Sequence, residues 1–290
     1  MNTNELISVV VPTHNRAFQL DRCLSSLFNQ VYSYNYEAVV VDDASTDETQ
    51  KLLKRYSKKH PNLKVIINPK NMGSYYSRNV GVSYSKGNIV AFTDSDTIVP
   101  TNWLSKIHEA FQNNELLCIQ GTSDSKGKWE LPIPKEEHLN HKVFRIRKGL
   151  DTKNHAIRRD LILKYKFDER FRTGGDQDLG HRLAKDHINI MYNPDIIVTH
   201  FDMHGFWDSI SKGKDWGKTY AMYYRKDGWT SVNPKLRYPI WVLIFYYIGS
   251  FFYFLLKYRS FRGSLTMAIR NLVAAFHFKK IVDLHSEISK

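Results

Sequence analysis

Two carboxylates one residue apart, Asp94 and Asp96, close the run Ile89-Val90-Ala91-Phe92-Thr93-Asp94-Ser95-Asp96. The run begins apolar and β-branched, as buried strands do, and an unpaired charge inside such a strand is costly. At the carboxyl end of a parallel strand the same charges are well placed, because open α/β sheets bind their ligands there. Paired carboxylates at that point can hold a divalent cation, and through it a phosphate; alternatively they cap a turn. Two earlier strands end in the same way. Ala38-Val39-Val40-Val41 runs into Asp42 and Asp43, and Ser8-Val9-Val10-Val11-Pro12 runs into Thr13, His14, Asn15 and Arg16. A carboxylate such as Asp43 suits a base edge or ribose hydroxyls, and Arg78 suits a phosphate or a structural ion pair. Late in the chain Ile196-Ile197-Val198-Thr199 ends in His200, a possible metal ligand. Gly174 and Gly175 precede Asp176, which is placed to cap a helix or to act on a ligand that the glycines let approach.

These side chains need a scaffold. Leu20, Cys23, Leu24, Leu27 and Phe28 fall on one face of a helix after the first strand. After the second, Ser45 and Glu48 form a capping box for a helix through Leu52 and Leu53. A third strand, Leu63 to Ile67, leads through Asn71-Met72-Gly73 to a helix carrying Arg78 and Asn79, and the fourth delivers Asp94 and Asp96. Strands alternating with helices in this way specify an α/β fold on a mainly parallel sheet. Trp103 to Phe111 reads as a helix and Leu117 to Gln120 as a short strand. Residues 122–150, with Gly127, Pro132 and Pro134, read as a mobile loop over the site. From Asn154 a further structured segment runs to a helix that Asp176 starts and from which Leu179 and Leu183 face inward. No Gly-x-Gly-x-x-Gly follows the first strand and no Gly-Lys-Ser/Thr loop occurs, so dinucleotide enzymes and P-loop NTPases are excluded.

The 290 residues are 42% hydrophobic and 24% charged, enough for a full globular core. A net charge of +13 points to an anionic partner. Between Lys235 and Lys290 nine Lys/Arg face only Asp283 and Glu287, so seven of the thirteen charges sit in the last fifth. They lie beside an apolar segment, which favours a membrane surface over nucleic acid. Residues 238–256 carry no charge, and nine of these 19 are aromatic; Lys235, Arg237, Lys257 and Arg259 flank them. That length suits a membrane span, while Pro239, Gly249 and the tyrosines favour a re-entrant or interfacial helix. Beyond it, Leu265, Ala268, Ile269, Leu272 and Phe276 make one helical face, with Arg262, Arg270 and Lys279 available to lipid headgroups. Cys23 and Cys118 read as buried thiols of a reducing compartment. Met1 to Glu5 lacks the basic start of a signal peptide, so the catalytic part is expected in the cytoplasm.

Taken in series, the motifs resemble those of the inverting family-2 glycosyltransferases of the GT-A fold. They are Val10 to Arg16, Val41 to Asp47, Asn71-Met72-Gly73 with Arg78-Asn79, Asp94-Ser95-Asp96, Phe167 to Phe171 and Gly175 to Leu183, within residues 6–205. The resemblance implies a Rossmann-like catalytic domain over residues 1–234, and the apolar and basic segments described above make residues 235–290 a hydrophobic, amphipathic helical tail. It implies a nucleoside-diphosphate sugar donor, UDP-linked by preference, held by Pro12, Thr13, Asn15, Arg16, Asp43, Asn71, Gly73, Arg78, Asp94 and Ser95. Asp43 would meet the nucleobase, Thr13 and Arg78 would lie near the nucleotide, and Asp94 by ribose and metal. Asp94, Asp96 and His200, or His204 in its stead, would ligate Mn²⁺ or Mg²⁺. Asp176 would be the catalytic base, although Gly175 stands where family members often carry a glutamate. Asp178 would support it, with Arg182 its helix-face partner. The sugar would pass to a hydroxyl of a lipid-linked or cell-surface glycan, with inversion, on the cytoplasmic side of a membrane bound peripherally or through 238–256. Other chemistries compatible with the residues are nucleotidyl transfer and nucleic-acid binding without turnover; no nucleic acid is expected.

Overall fold

The computed structural model describes residues 6–113, 115–127, 145–147, 150–202, 206–227, 234–259 and 261–288. The chain forms two compact units. The first comprises Met1–Asp124, Pro134–Arg170 and Gly175–His200; the second comprises Ser125–Ile133, Phe171–Gly174 and Phe201–Lys290. The second thus reaches back well before residue 235, where the sequence suggested the tail begins.

In the first unit β1 (Ile7–Thr13), β2 (Tyr36–Asp42), β3 (Leu63–Ile67) and β4 (Ile89–Phe92) pair in parallel in the order β3-β2-β1-β4. Helices α1 (Ala17–Leu27), α2 (Thr49–Lys59) and α3 (Ser74–Tyr84) connect them. Every residue of β1 is buried, as a central parallel strand covered on both faces must be. β4 pairs with β1 only as far as Val10, so Pro12, which has no amide hydrogen, lies past the last rung on that side. From α1, Leu20, Cys23, Leu24 and Leu27 enter the core with Val9, Val11, Trp103 and Phe111. Both cysteines are buried and unpaired. A Cβ at Gly81 would stand 2.4 Å from Val10 Cγ1. Glycine there lets α3 descend onto the sheet, which keeps Tyr75 and Arg78, on the same helix, close to the strand ends.

The other half of the sheet is antiparallel, so the whole is mixed. β8 (His155–Arg158) runs against both β4 and β6 (Cys118–Gly127), and β9 (Ile190–Asp202) pairs antiparallel with β5 (Thr97–Ile98) and β7 (Arg145–Arg147). Helix α4 (Trp103–Phe111) has the bounds expected, and α5 (Arg159–Tyr165) and α6 (Gly175–Lys185) follow. β6 extends the short strand expected at 117–120 to Gly127; residues 128–144 and 148–149 of the expected loop lie outside the described residues. Buried Asn154 accepts from Trp103 Nε1 at 2.9 Å and donates to the carbonyls of Thr122 (2.7 Å) and Ile196 (2.8 Å), tying β6 and β9 to α4.

One expected cap is absent. Ser45 and Glu48 do not form a capping box: Ser45 Oγ accepts from Asn15 N, and Asp47 Oδ1 instead accepts from Thr49 N at 3.0 Å at the start of α2. Ser45 was drawn into fastening the first loop to the second.

In the second unit α7 (Phe206–Asp227), α8 (Ile240–Tyr258) and α9 (Phe261–Ile288) pack around Ala221, Leu236, Leu243, Tyr247, Ala275 and Phe278. Gly213 and Gly217 let α7 approach α9: a Cβ on either would lie 2.5–2.6 Å from the carbonyl oxygens of Arg270 and Ala274. α9 is therefore a packing helix, and the face read from the sequence is displaced. Ala268, Ala274, Ala275 and Phe278 are buried, whereas Phe276 is exposed. The outward apolar face belongs instead to α8, where Trp241, Ile244, Phe245, Ile248, Phe252 and Leu256 recur at helical spacing and all are exposed. Among the described residues no helix is long and apolar enough to cross a membrane.

Candidate functional site

Beyond β4 the chain turns at once: Thr97 N donates to Asp94 O at 3.0 Å, closing a tight turn that carries Asp94, Ser95 and Asp96. β5 then pairs with β9 so that Thr97 lies opposite His200. That register brings one ligand atom each from Asp94, Asp96 and His200 within 4.8 Å of one another. His204 lies outside the described residues. His200 Nε2 stands 3.2 Å from Asp96 Oδ1. Burial pushes the Asp96 carboxyl up, but the His200 imidazole and the Arg16 guanidinium outweigh it and hold it below the usual carboxylate range. Burial lowers His200, and Asp96 more than reverses that, so the imidazole is raised.

Both carboxylates already carry a cationic partner. Arg16 Nη1 donates to Asp96 Oδ2, and Arg78 Nη2 donates to Asp94 Oδ1 at 2.5 Å. Two carboxylates and an imidazole are a donor set for Mn²⁺ or Mg²⁺. The fit is supported by Asp96 Oδ1 and His200 Nδ1, which are buried without a hydrogen bond of ordinary geometry.

The neighbouring strand ends have the same character. Thr13 Oγ1 at the end of β1, Asp42 Oδ2 at the end of β2, and Thr93 and Thr97 Oγ1 around the turn are buried without hydrogen-bond partners among the described residues. Folded proteins leave few such atoms, each at a cost of about 1–3 kcal/mol, so a row of them marks a place for a polar ligand. The two adjacent aspartates divide the work. Asp43 Oδ1 accepts from Met72 N (2.9 Å) and Asn68 Nδ2 (2.7 Å), and Oδ2 accepts from Gly73 N (2.8 Å). Asp43 thus holds the turn before α3, where Gly73 adopts φ +97°. Asp42 gives only Oδ1 to the fold, accepting from Ser45 N at 3.1 Å. Of the two carboxylates that the sequence places at this strand end, Asp42 keeps an oxygen open among the described residues.

Asn15, at φ +50°, also serves the scaffold: its Oδ1 accepts from Thr46 N at 2.7 Å and its N–H donates to Ser45 Oγ at 2.8 Å. Ser95 is buried between the two aspartates, and Asn71 is exposed beside Gly73.

Asp176 occupies the first turn of α6. Its Oδ1 accepts from Tyr75 Oη (3.1 Å) and Gln177 N (3.0 Å), and its Oδ2 from Thr152 N (3.3 Å). Burial and then the charge of Asp151 push this carboxyl above its ordinary value, against Arg78, which lowers it. A carboxylate shifted upward is the stronger proton acceptor. Asp178 pairs with Arg182 one turn on at 2.7 Å, as expected, and Arg182 also donates to the carbonyls of Tyr165 and Lys166 at the end of α5. Gly175 gives close approach, to the ring of Tyr75. Tyr75 and Thr152 were missed from the sequence. For Tyr75 there was a usable signal, a polar-tipped aromatic on the same helical face as Arg78.

The model of the family Glycosyl transferase family 2 matches residues 8–174, ending two residues before Asp176. Glycosyltransferase AglE of Haloferax volcanii is 25% identical over 258 residues, covering 84% of this chain and 82% of that protein. Among solved structures, the mannosyltransferase PcManGT from Pyrobaculum calidifontis in complex with GDP-Man and Mn²⁺ has a TM-score of 0.64 at 20% identity, over 77% of this chain and 65% of that one. S. aureus TarS 1–349 in complex with UDP-GlcNAc has a TM-score of 0.60 at 18% identity, over 93% of this chain and 91% of that one. These two likenesses show the common fold.

Proposed function

The chain belongs to glycosyltransferase family 2, and from that premise we propose that it moves a sugar from a nucleoside-diphosphate sugar to a glycan hydroxyl, inverting the anomeric carbon. What carries the proposal is the placing of His200 upon Asp94 and Asp96 at the carboxyl end of the parallel strands. Asp94, Asp96 and His200 would hold Mn²⁺ or Mg²⁺, which when bound supplies positive charge against the negative charge growing on the diphosphate. Arg16 and Arg78 bring two further positive charges to the same corner. Thr13 and Asp42 offer unpartnered polar atoms to the nucleoside. The acceptor's O–H proton passes to Asp176 while its oxygen bonds to C1. The C1–O bond to the diphosphate breaks, and its electron pair leaves with the nucleoside diphosphate. Holding the two reactants in line supplies much of the acceleration. A UDP-sugar is the favoured donor, supported by the near-complete overlap with TarS, which was solved with UDP-GlcNAc.

The test is nucleoside-diphosphate release from UDP-, GDP- and dTDP-sugars with Mn²⁺ or Mg²⁺. Slow hydrolysis of one donor, abolished by EDTA, is expected. Pyrophosphate release would replace the proposal with nucleotidyl transfer; absence of donor binding alongside salt-sensitive oligonucleotide binding would replace it with a nucleic-acid module.

The acceptor in this proposal is a lipid-linked or cell-surface glycan, with residues 1–234 catalytic and the tail from 235 resting on the cytoplasmic face of a membrane. The support is the outward face of α8 within a stretch, from Gly228 to Val282, that has eight Lys/Arg and no acid. Such a combination suits the interface of an anionic bilayer. In vesicle sedimentation, Trp241→Glu with Phe245→Glu should cut binding to phosphatidylglycerol vesicles by roughly tenfold or more. Unchanged binding would exclude α8 as the anchor.

A further inference from the structure

We propose that Tyr75 is a positioning residue for Asp176: its hydroxyl fills Oδ1, so that Oδ2 receives the acceptor's proton, and glycine at 175 is what admits its ring. This rests on Asp176 being the base. A carboxylate oxygen accepts about two hydrogen bonds. Oδ1 already has two donors, Tyr75 Oη at 3.1 Å and Gln177 N at 3.0 Å, whereas the described residues give Oδ2 one, Thr152 N at 3.3 Å. One lone pair of Oδ2 is therefore open to an incoming hydroxyl.

Tyr75 is built to hold this post. It is 6% exposed, its ring lies 5.6 Å from that of Phe167, and the Arg78 guanidinium stands 5.2 Å from its centroid. Burial, followed by the charge of Asp176, keeps the phenol well above its ordinary pKa, so it acts toward the carboxylate as a donor. A Cβ at residue 175 would come within 2.9 Å of Cδ2 and Cε2 of that ring. Any side chain there would press the phenol off the carboxylate. The charged groups facing Asp176 are Asp151, which opposes its ionisation, and Arg78, which favours it. Tyr75 adds a neutral donor that stabilises the ionised form.

Tyr75→Phe keeps the ring and removes the donor. The ionised carboxylate loses a hydrogen bond, so its pKa rises and the acid limb of kcat/KM against pH moves upward, by about one pH unit. At neutral pH kcat should fall about tenfold because Oδ2 is no longer held in line with the acceptor, while donor KM and Tm stay near those of the unaltered protein. Gly175→Ala should shift the limb the same way. The parallel control is Asp176→Asn. If that variant keeps a kcat within tenfold of the original, the base assignment falls. If it is slowed far more than tenfold while Tyr75→Phe keeps the original rate and acid limb, or loses rate with an unmoved limb, the positioning role falls alone.

Discussion

Asp176→Asn is expected to bind donor as the unaltered protein does and to transfer sugar about 10³-fold more slowly, within the range for loss of a general base. The asparagine matches the carboxylate in shape, so the contacts from Tyr75, Gln177 and Thr152 change by charge and by one donor rather than by volume. Only the proton acceptor is lost. Because donor and acceptor remain aligned, KM for the donor should move little and the deficit should appear in kcat. The raised pKa of Asp176 sets the pH dependence. Activity should be full above that pKa and should decline as pH falls through it, at a pH higher than an ordinary aspartate would give. Calorimetric donor binding beside steady-state rates checks both halves. A kcat within tenfold of the original would remove Asp176 from the mechanism.

Asp96→Asn is expected to lose about 10³-fold in kcat/KM, the scale of several kcal/mol that a bound cation contributes. Asp96 serves two partners, Arg16 on Oδ2 and His200 beside Oδ1. An amide cannot neutralise both, and it leaves His200 without the charge that raises its pKa. The variant should bind Mn²⁺ far more weakly in calorimetry, and part of its rate should return at high Mn²⁺. Because Arg16 is about one-third exposed, water can solvate it when its partner is gone, so Tm should change only modestly. Full activity of the unaltered protein in EDTA, or an undiminished rate in the variant, would show that these residues form an internal ion-pair network rather than a cation site.

Much of the first unit could be read from residue order. The apolar runs ending in Thr13, Asp42 and Asp94 are strands whose burial on both faces follows from their composition, and α1, β3 and α4 stand where periodicity put them. Local readings failed where a side chain had a competing distant partner. Ser45 was free, by spacing, to cap α2, yet Asn15 claimed it. Leu265, Ala268, Ile269, Leu272 and Phe276 share a helical face, and Ala268 and Leu272 do pack inward, yet Phe276 is exposed while Ala274, Ala275 and Phe278 are buried in the second unit, where Gly213 and Gly217 let α7 approach α9. Asp43 also holds the turn before α3 through the amides of Met72 and Gly73, a part that spacing could not show.

By itself the sequence determined the chemistry on offer: paired carboxylates after a buried strand, a late histidine after another, and a carboxylate at a helix start. These follow from local composition, because burial forces charges to the ends of strands and helices. The tertiary structure alone decided how those groups meet. Pairing of β5 with β9 sets Thr97 against His200 and completes the cluster with Asp94 and Asp96. The seating of α3 on β1 through Gly81 goes with the contact of Tyr75 to Asp176. Neither contact has a local signature, because each depends on a register or an approach distance set by packing between segments remote in the chain.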